Sequence, residues 1–174
     1  MERHERDKLL VEAMDLHGDY LLRVVYAIVK EKTKAEDIVQ EVFIQYYIHI
    51  DEFEHRSSVK TYLYRIAINR CRNLFKSWHY RKLELSHQVG QLLVSIQDTE
   101  EQVIHGESSD ELKRLINRLP LKYKEVIWLF YYAELKVSEV GEVLGCSVNT
   151  VKTRLARARK LVKGILKEEN ADDE

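Results

Sequence analysis

Six cations, Lys152, Arg154, Arg157, Arg159, Lys160 and Lys163, crowd the stretch CSVNTVKTRLARARKLVK, and no acid interrupts them. Residues of these types make no nucleophile–base pair, no carboxylate pair and no metal-ligand set, so the chemistry open to them is the neutralisation of phosphates. On a helical wheel, Val148, Val151, Leu155, Ala158, Val162 and Ile165 share one narrow arc that requires burial. The opposite side presents Asn149, Thr153, Ala156 and Lys160, with Thr150 and Arg157 along one edge and Lys152 and Lys163 along the other. Short hydrogen-bonding side chains therefore lead and cations follow. A helix entering a major groove by its N-terminus needs that order, because base edges come first and the phosphate backbone later. Upstream, VSEVGEVLGCS supplies a short helix, a turn at Gly145 and an N-cap at Ser147, the layout of a helix-turn-helix.

A second acid-free basic block covers residues 56 to 82, with eight Lys/Arg. Residues 83 to 112 then hold seven acids and no base. The net charge of −1 hides this alternation: −6 over residues 1 to 55, +8, −7, +2 over 113 to 146, +7 over 147 to 167, and −5 in the tail. Two basic surfaces separated by an acidic stretch imply two faces toward a polyanion. On a helix beginning at Val59, Arg65, Asn69, Arg72 and Lys76 form a cationic stripe that is expected to stay free, while Leu63, Ala67, Tyr64 and Ile68 bury other faces. Tyr62, Tyr64, Trp78 and Tyr80 are interleaved with these bases, a mixture that binds single strands by stacking and phosphate attraction. Arg70 turns toward the apolar side and needs a carboxylate partner or a snorkelling path.

The elements that position these residues read as helices. Apolar positions are dense from Leu9 to Val29 and recur at helical spacing from Ile38 to Ile50. DEFEHRSS breaks the period, and Val59 to about Arg81 forms a long helix. Residues 83 to 107 read as a linker with little fixed structure. Ser108 and Glu111 have capping-box spacing, Pro120 ends the helix they begin, and Lys122 to Ala133 and Val137 to Leu144 precede the basic helix. The expected fold is all-α: two small helical domains, 1–82 and 108–174, joined by a flexible acidic linker, 83–107. The C-terminal domain carries the helix-turn-helix. No segment reaches the roughly 18 apolar residues of a membrane span, and Met1 to Asp15 lacks a signal-peptide core, so the chain is expected in the cytoplasm. Cys71 and Cys146 lack metal-site spacing and read as thiols packed in or near the core. No cofactor, metal or small-molecule substrate is implied.

The segments KAEDIVQEVFIQYYIHIDEF, SSVKTYLYRIAINRCRNLFKSW and LPLKYKEVIWLFYYAELKVSEVGEVLGCSVNTVKTRLARARK together resemble an extracytoplasmic-function (ECF) sigma factor, from about Leu16 to Leu166. The resemblance implies a non-catalytic protein that binds RNA polymerase core and directs promoter-specific initiation. It implies that region 2 melts and captures the minus-ten element as a single strand, while region 4 reads the minus-thirty-five element as duplex. Carried over by position, Asp37, Gln40, Glu41 and Phe43 match the polymerase-binding segment. Arg56, Lys60, Thr61, Arg65, Asn69, Arg72 and Lys76 fall in the minus-ten part. Ser147, Asn149, Thr150, Lys152, Thr153, Arg154, Arg157 and Lys160 fall in the minus-thirty-five part. An anti-sigma factor, which could hold the protein at the membrane, is a further implied partner. Two departures stand out. Lys136 replaces the usual capping Ser or Thr. Gly141 replaces the common Ala, at an expected cost of about 1 kcal/mol to its helix. The competing readings are a helix-turn-helix regulator acting without polymerase and a helical adaptor that binds only protein. The first has no use for residues 35 to 82, and the second none for the polar tip of the basic helix.

Overall fold

The computed structural model describes residues 2–53, 57–88 and 107–172. Among them are seven α-helices and no strand: α1 (Arg3–Val29), α2 (Lys32–His49), α3 (Val59–Gln88), α4 (Glu107–Asn117), α5 (Leu121–Ile127), α6 (Val137–Leu144) and α7 (Val148–Asp172). The expected linker lies mostly outside the described residues. Its first residues continue α3, which runs past Arg81 to Gln88.

Helix α1 ends where Lys30 takes a left-handed conformation (φ 65°) and its N–H closes on the Tyr26 carbonyl at 2.8 Å. The two-residue connection then sends α2 back along α1, burying Leu21, Val24, Val25 and Ile28 against Ile38, Val42 and Tyr46. Arg6 clips the far end, donating from Nη2 to the Tyr47 carbonyl at 2.9 Å, while the Tyr47 hydroxyl donates to Asp7 at 2.8 Å. Helix α3 lies against both, through Leu63, Tyr64, Ala67 and Ile68.

In the C-terminal half, Pro120 caps α5, and the helix widens into a π turn at Trp128–Tyr132, with the Ala133 N–H reaching the Trp128 carbonyl at 2.9 Å. The wider turn changes the register, so that Trp128, Leu129, Ala133 and Leu135 are all buried. The buried side chains of the two halves form one continuous core, with α6 packed on α3 and the π turn on α1.

Candidate nucleic-acid interfaces and docking groove

Helix α7 starts at Ser147, whose Oγ accepts the Thr150 N–H at 3.1 Å and lies 2.9 Å from the Thr150 hydroxyl. The preceding turn depends on Gly145 at φ 67°, a conformation costly for any residue with a Cβ. Val151, Leu155 and Ala158 are buried as the wheel requires, but Val148 is 40% exposed, because the first turn projects beyond the packing of α6. Asn149, Lys152, Thr153, Arg157 and Lys160 are exposed, and Thr150 and Arg154 are half-buried. The Thr153 hydroxyl donates to the Asn149 carbonyl at 2.9 Å, so it faces outward as an acceptor. Arg159 is tied to the π turn, donating from Nε to the Tyr131 hydroxyl at 2.8 Å.

A depression beside this tip is lined by Lys122, Tyr123, Asn149, Thr150, Thr153, Arg154 and Arg157. Lys122 and Tyr123 come from the start of α5 and were not among the residues expected at this surface. The run LPLKYK carried the signal, since Pro120 places the first turn of a helix directly after it.

The two departures in α6 have structural answers. The Glu139 carboxylate accepts the Lys136 backbone N–H at 2.7 Å, which half-completes a capping box without a Ser or Thr. At Gly141, a Cβ would meet the Cys146 carbonyl oxygen at 2.8 Å. The glycine is therefore a packing requirement of the turn, and the expected gain from Ala is replaced by a clash.

Helix α3 also starts at a serine. Ser58 Oγ accepts the Thr61 N–H at 3.0 Å and lies 2.9 Å from the Thr61 hydroxyl. Arg65, Asn69 and Lys76 are exposed, with the Arg65 guanidinium 5.5 Å from the Tyr62 ring centroid, and Lys60 is half-buried. Arg56 lies outside the described residues. The expectation that the whole stripe stays free fails at Arg72, because α5 packs a buried acid against it. Arg72 donates from Nε to Glu125 Oε1 at 2.7 Å and from Nη2 to Oε2 at 2.8 Å, and Glu125 is 2% exposed. Thr61 is likewise buried, with its hydroxyl 3.5 Å from a Glu139 carboxylate oxygen. The hydrogen bonds that Arg72 donates to Glu125 raise the Arg72 pKa, while burial and the nearby Glu125 charge push the Cys71 thiol up to about 12. Of the interleaved aromatics, Tyr64 is core rather than a stacking platform; Tyr62 packs on Phe53 and Trp78 on Phe75, both half-buried. The side chain of Tyr80 is outside the described set.

On the other side of the N-terminal half, α1 and α2 leave a mainly apolar groove lined by Leu10, Met14, Gly18, Leu22, Val39, Phe43, Ile44 and Tyr47, with Asp15, Asp19, Glu36 and Gln40 also in its walls. Asp37 and Glu41 are exposed on α2, and Glu41 pairs with Arg70 at 3.4 Å, which gives that arginine its carboxylate. Phe43, expected on the binding face, is 7% exposed: it belongs to the core and supports the groove floor from beneath. The α1 residues were not anticipated, because only the folded hairpin sets Met14 beside Ile44. Both keep about half their surface exposed, at 47% and 50%.

Comparison with known proteins matches two successive parts of the chain. The sigma-70 region 2 family pattern matches residues 13–81, and the sigma-70 region 4 pattern matches residues 109–162. The ECF RNA polymerase sigma factor SigW of Bacillus subtilis is 35% identical, over 90% of this chain and 88% of the relative. SigM of the same organism is 30% identical, over 88% and 93%. Among solved structures, the sigma factor RpoE in complex with the anti-sigma factor NepR from Bartonella quintana superposes with a TM-score of 0.71 at 24% identity, covering 92% of this chain and 98% of that one. CnrH in complex with the cytosolic domain of CnrY gives 0.68 at 22%, covering 93% and 90%, and both support the fold. A paired region 2 and region 4, together with identity to SigW along nearly the whole length, make this chain a member of the ECF sigma factor family, whose work is promoter-specific initiation with RNA polymerase.

Proposed function

We propose that three surfaces divide this work. The exposed tip of α7, with Ser147, Asn149, Thr150, Lys152, Thr153, Arg154, Arg157 and Lys160, reads the minus-thirty-five element as duplex, and Lys122 and Tyr123 hold the adjoining backbone. Helix α3, with Lys60, Thr61, Arg65, Asn69, Arg72 and Lys76, takes the melted minus-ten strand. The α1–α2 groove, with Gln40 in its wall, and the exposed α2 face of Asp37 and Glu41 beside it receive polymerase core. The domains that carry these roles are 1–82 and 108–174. The observation that carries the reading is the α7 tip: a capped helix that buries Val151, Leu155 and Ala158 and turns its small polar residues and cations outward.

In this reading the chain contributes no bond-making chemistry and works in the cytoplasm, where polymerase and DNA are. An anti-sigma factor is a further partner, by analogy with the RpoE that was solved with NepR. Among the described residues no helix is long and apolar enough to cross a membrane, so holding at a membrane would be the partner's role.

Run-off transcription with purified polymerase core on a promoter library tests the assignment: discrete transcripts appear only when the protein is added. Replacing Asp37 and Glu41 together by Lys abolishes binding to core without unfolding the chain, since both are exposed. Unchanged affinity for core, by titration, removes the assignment of the Asp37 and Glu41 face of α2 to polymerase.

A further inference from the structure

Two helical glycines of this chain contrast. At Gly141 the turn before α7 leaves no room for a methyl, whereas at Gly18, in the interior of α1, a Cβ would meet nothing within 4 Å. Glycine is the poorest helix former after proline, so Gly18 weakens α1, and no contact among the described residues calls for it. Its place in the groove does. Gly18 lies four positions from both Met14 and Leu22, and all three line the α1–α2 groove, so the missing side chain cuts a notch in an apolar row. Gly18 is half-buried, while Met14 and the α2 residue Ile44 keep about half their surface exposed. Val11, three positions before Met14, and Ile48, four after Ile44, are exposed as well and extend these apolar rows. The charged residues of the lining, Asp15, Asp19 and Glu36, are all acids. We propose that Gly18 is a docking notch: an apolar side chain of polymerase core seats over the bare backbone of α1, with cations of the core beside the acidic rim.

This rests on the assignment of the α1–α2 face to polymerase core, which the test keeps separate. Continuity and charge identify the occupant. Asp37 and Glu41 directly follow two groove residues, Glu36 and Gln40, along α2, so one partner surface covers both the groove and the exposed face beside it. A second copy of this chain, paired about a two-fold axis, would bring the same acids together, and like charges disfavour that pairing. A methyl at position 18 would hold the partner's side chain away from the helix, and a gap of even an ångström forfeits much of the attraction between packed groups. The glycine thus trades helix stability for close approach.

The experiment titrates purified polymerase core with the full-length protein and records the melting temperature of each variant in parallel. Gly18→Ala is expected to raise the melting temperature by about 2 to 4 °C and to weaken core binding about fivefold, and Gly18→Leu to weaken it about a hundredfold. Gly164→Ala, at an exposed glycine of α7 with equally open surroundings, should give a similar rise with core affinity unchanged. A lower melting temperature for Gly18→Ala assigns the glycine to the chain's own fold and overturns the notch. Equal weakening by Gly164→Ala would trace the effect to helix stiffening and overturn it too. Ile44→Asp separates the notch from the docking face. Weakened binding by Ile44→Asp with full affinity for Gly18→Leu keeps the groove and overturns the notch, while full affinity in both overturns the groove assignment as well. Dimers of the free chain in sedimentation velocity that Gly18→Leu abolishes would give the groove to a second copy and overturn the proposal.

Discussion

Two helices of this molecule begin with nearly the same four residues, Ser58-Val59-Lys60-Thr61 on α3 and Ser147-Val148-Asn149-Thr150 on α7, and both use the serine oxygen to cap the threonine N–H. Their surroundings differ. At α7 the threonine is half-buried, its neighbours Asn149 and Lys152 are exposed, and the tip lies open. At α3 the threonine is buried beneath α6, and about four turns of helix separate the cap from an arginine engaged by Glu125. Equivalent local starts thus lead to one surface left open and one partly withheld, at Thr61 and Arg72, and tertiary packing decides which is which.

The largest effect that could break this comparison is at the withheld helix. Arg72→Ala leaves the Glu125 carboxylate buried without its partner and is expected to lower stability by about 3 kcal/mol, the low end for a broken buried pair because Arg72 keeps some exposure. Lys160→Ala on the open helix should stay within about 0.5 kcal/mol. Urea unfolding of both variants measures the contrast, and equal losses would erase it.

On the open helix, Asn149→Ala or Thr153→Ala is expected to relax sequence preference for duplex DNA, at about 1 to 3 kcal/mol of discrimination. Lys160→Ala should weaken all sequences alike. Competition binding across a randomised site separates the two behaviours; uniform weakening by all three would remove base readout from this face.

Gly141→Ala sharpens the comparison at the turn that aims α7. Better helix propensity offers about 1 kcal/mol, but the Cys146 carbonyl must shift to admit the methyl, so a net loss of about 1 kcal/mol is expected as a lower melting temperature. A rise in melting temperature would show that the turn relaxes freely. The smallest contrast is between the caps. Ser147→Ala and Ser58→Ala should each cost about 1 kcal/mol in chemical denaturation, with Ser58→Ala slightly the greater because its hydroxyl also contacts the buried Thr61.

What could be read from the sequence was whatever depends on neighbours along the chain. Helix α6 matches its periodic segment from Val137 to Leu144, and Gly145 and Ser147 punctuate the turn as their residue types require. Arg65, Asn69 and Lys76 are exposed as their helical spacing indicates. Contacts distant in sequence were not legible. A wheel assigns Arg72 to a free stripe because it cannot represent Glu125, 53 positions away, and a lone acid in KYKEVIWLF gives no local sign that it will be buried. The same limit hid the α1 wall of the groove and the packing that buries Phe43 in the groove floor. Val148 erred in the other direction, since a wheel continues an apolar arc to the very end of a helix, where no partner remains to cover it.

The division between duplex reading and strand capture is tested most directly by permanganate reactivity of promoter thymines in the polymerase complex, with occupancy measured in parallel by footprinting. Asn149→Ala combined with Thr153→Ala on α7 should lose occupancy and thymine reactivity together. Arg65→Ala combined with Asn69→Ala on α3 should keep the upstream footprint and lose reactivity. An α3 variant that loses the footprint, or an α7 variant that keeps both signals, would contradict the assignment of duplex reading to α7 and strand capture to α3.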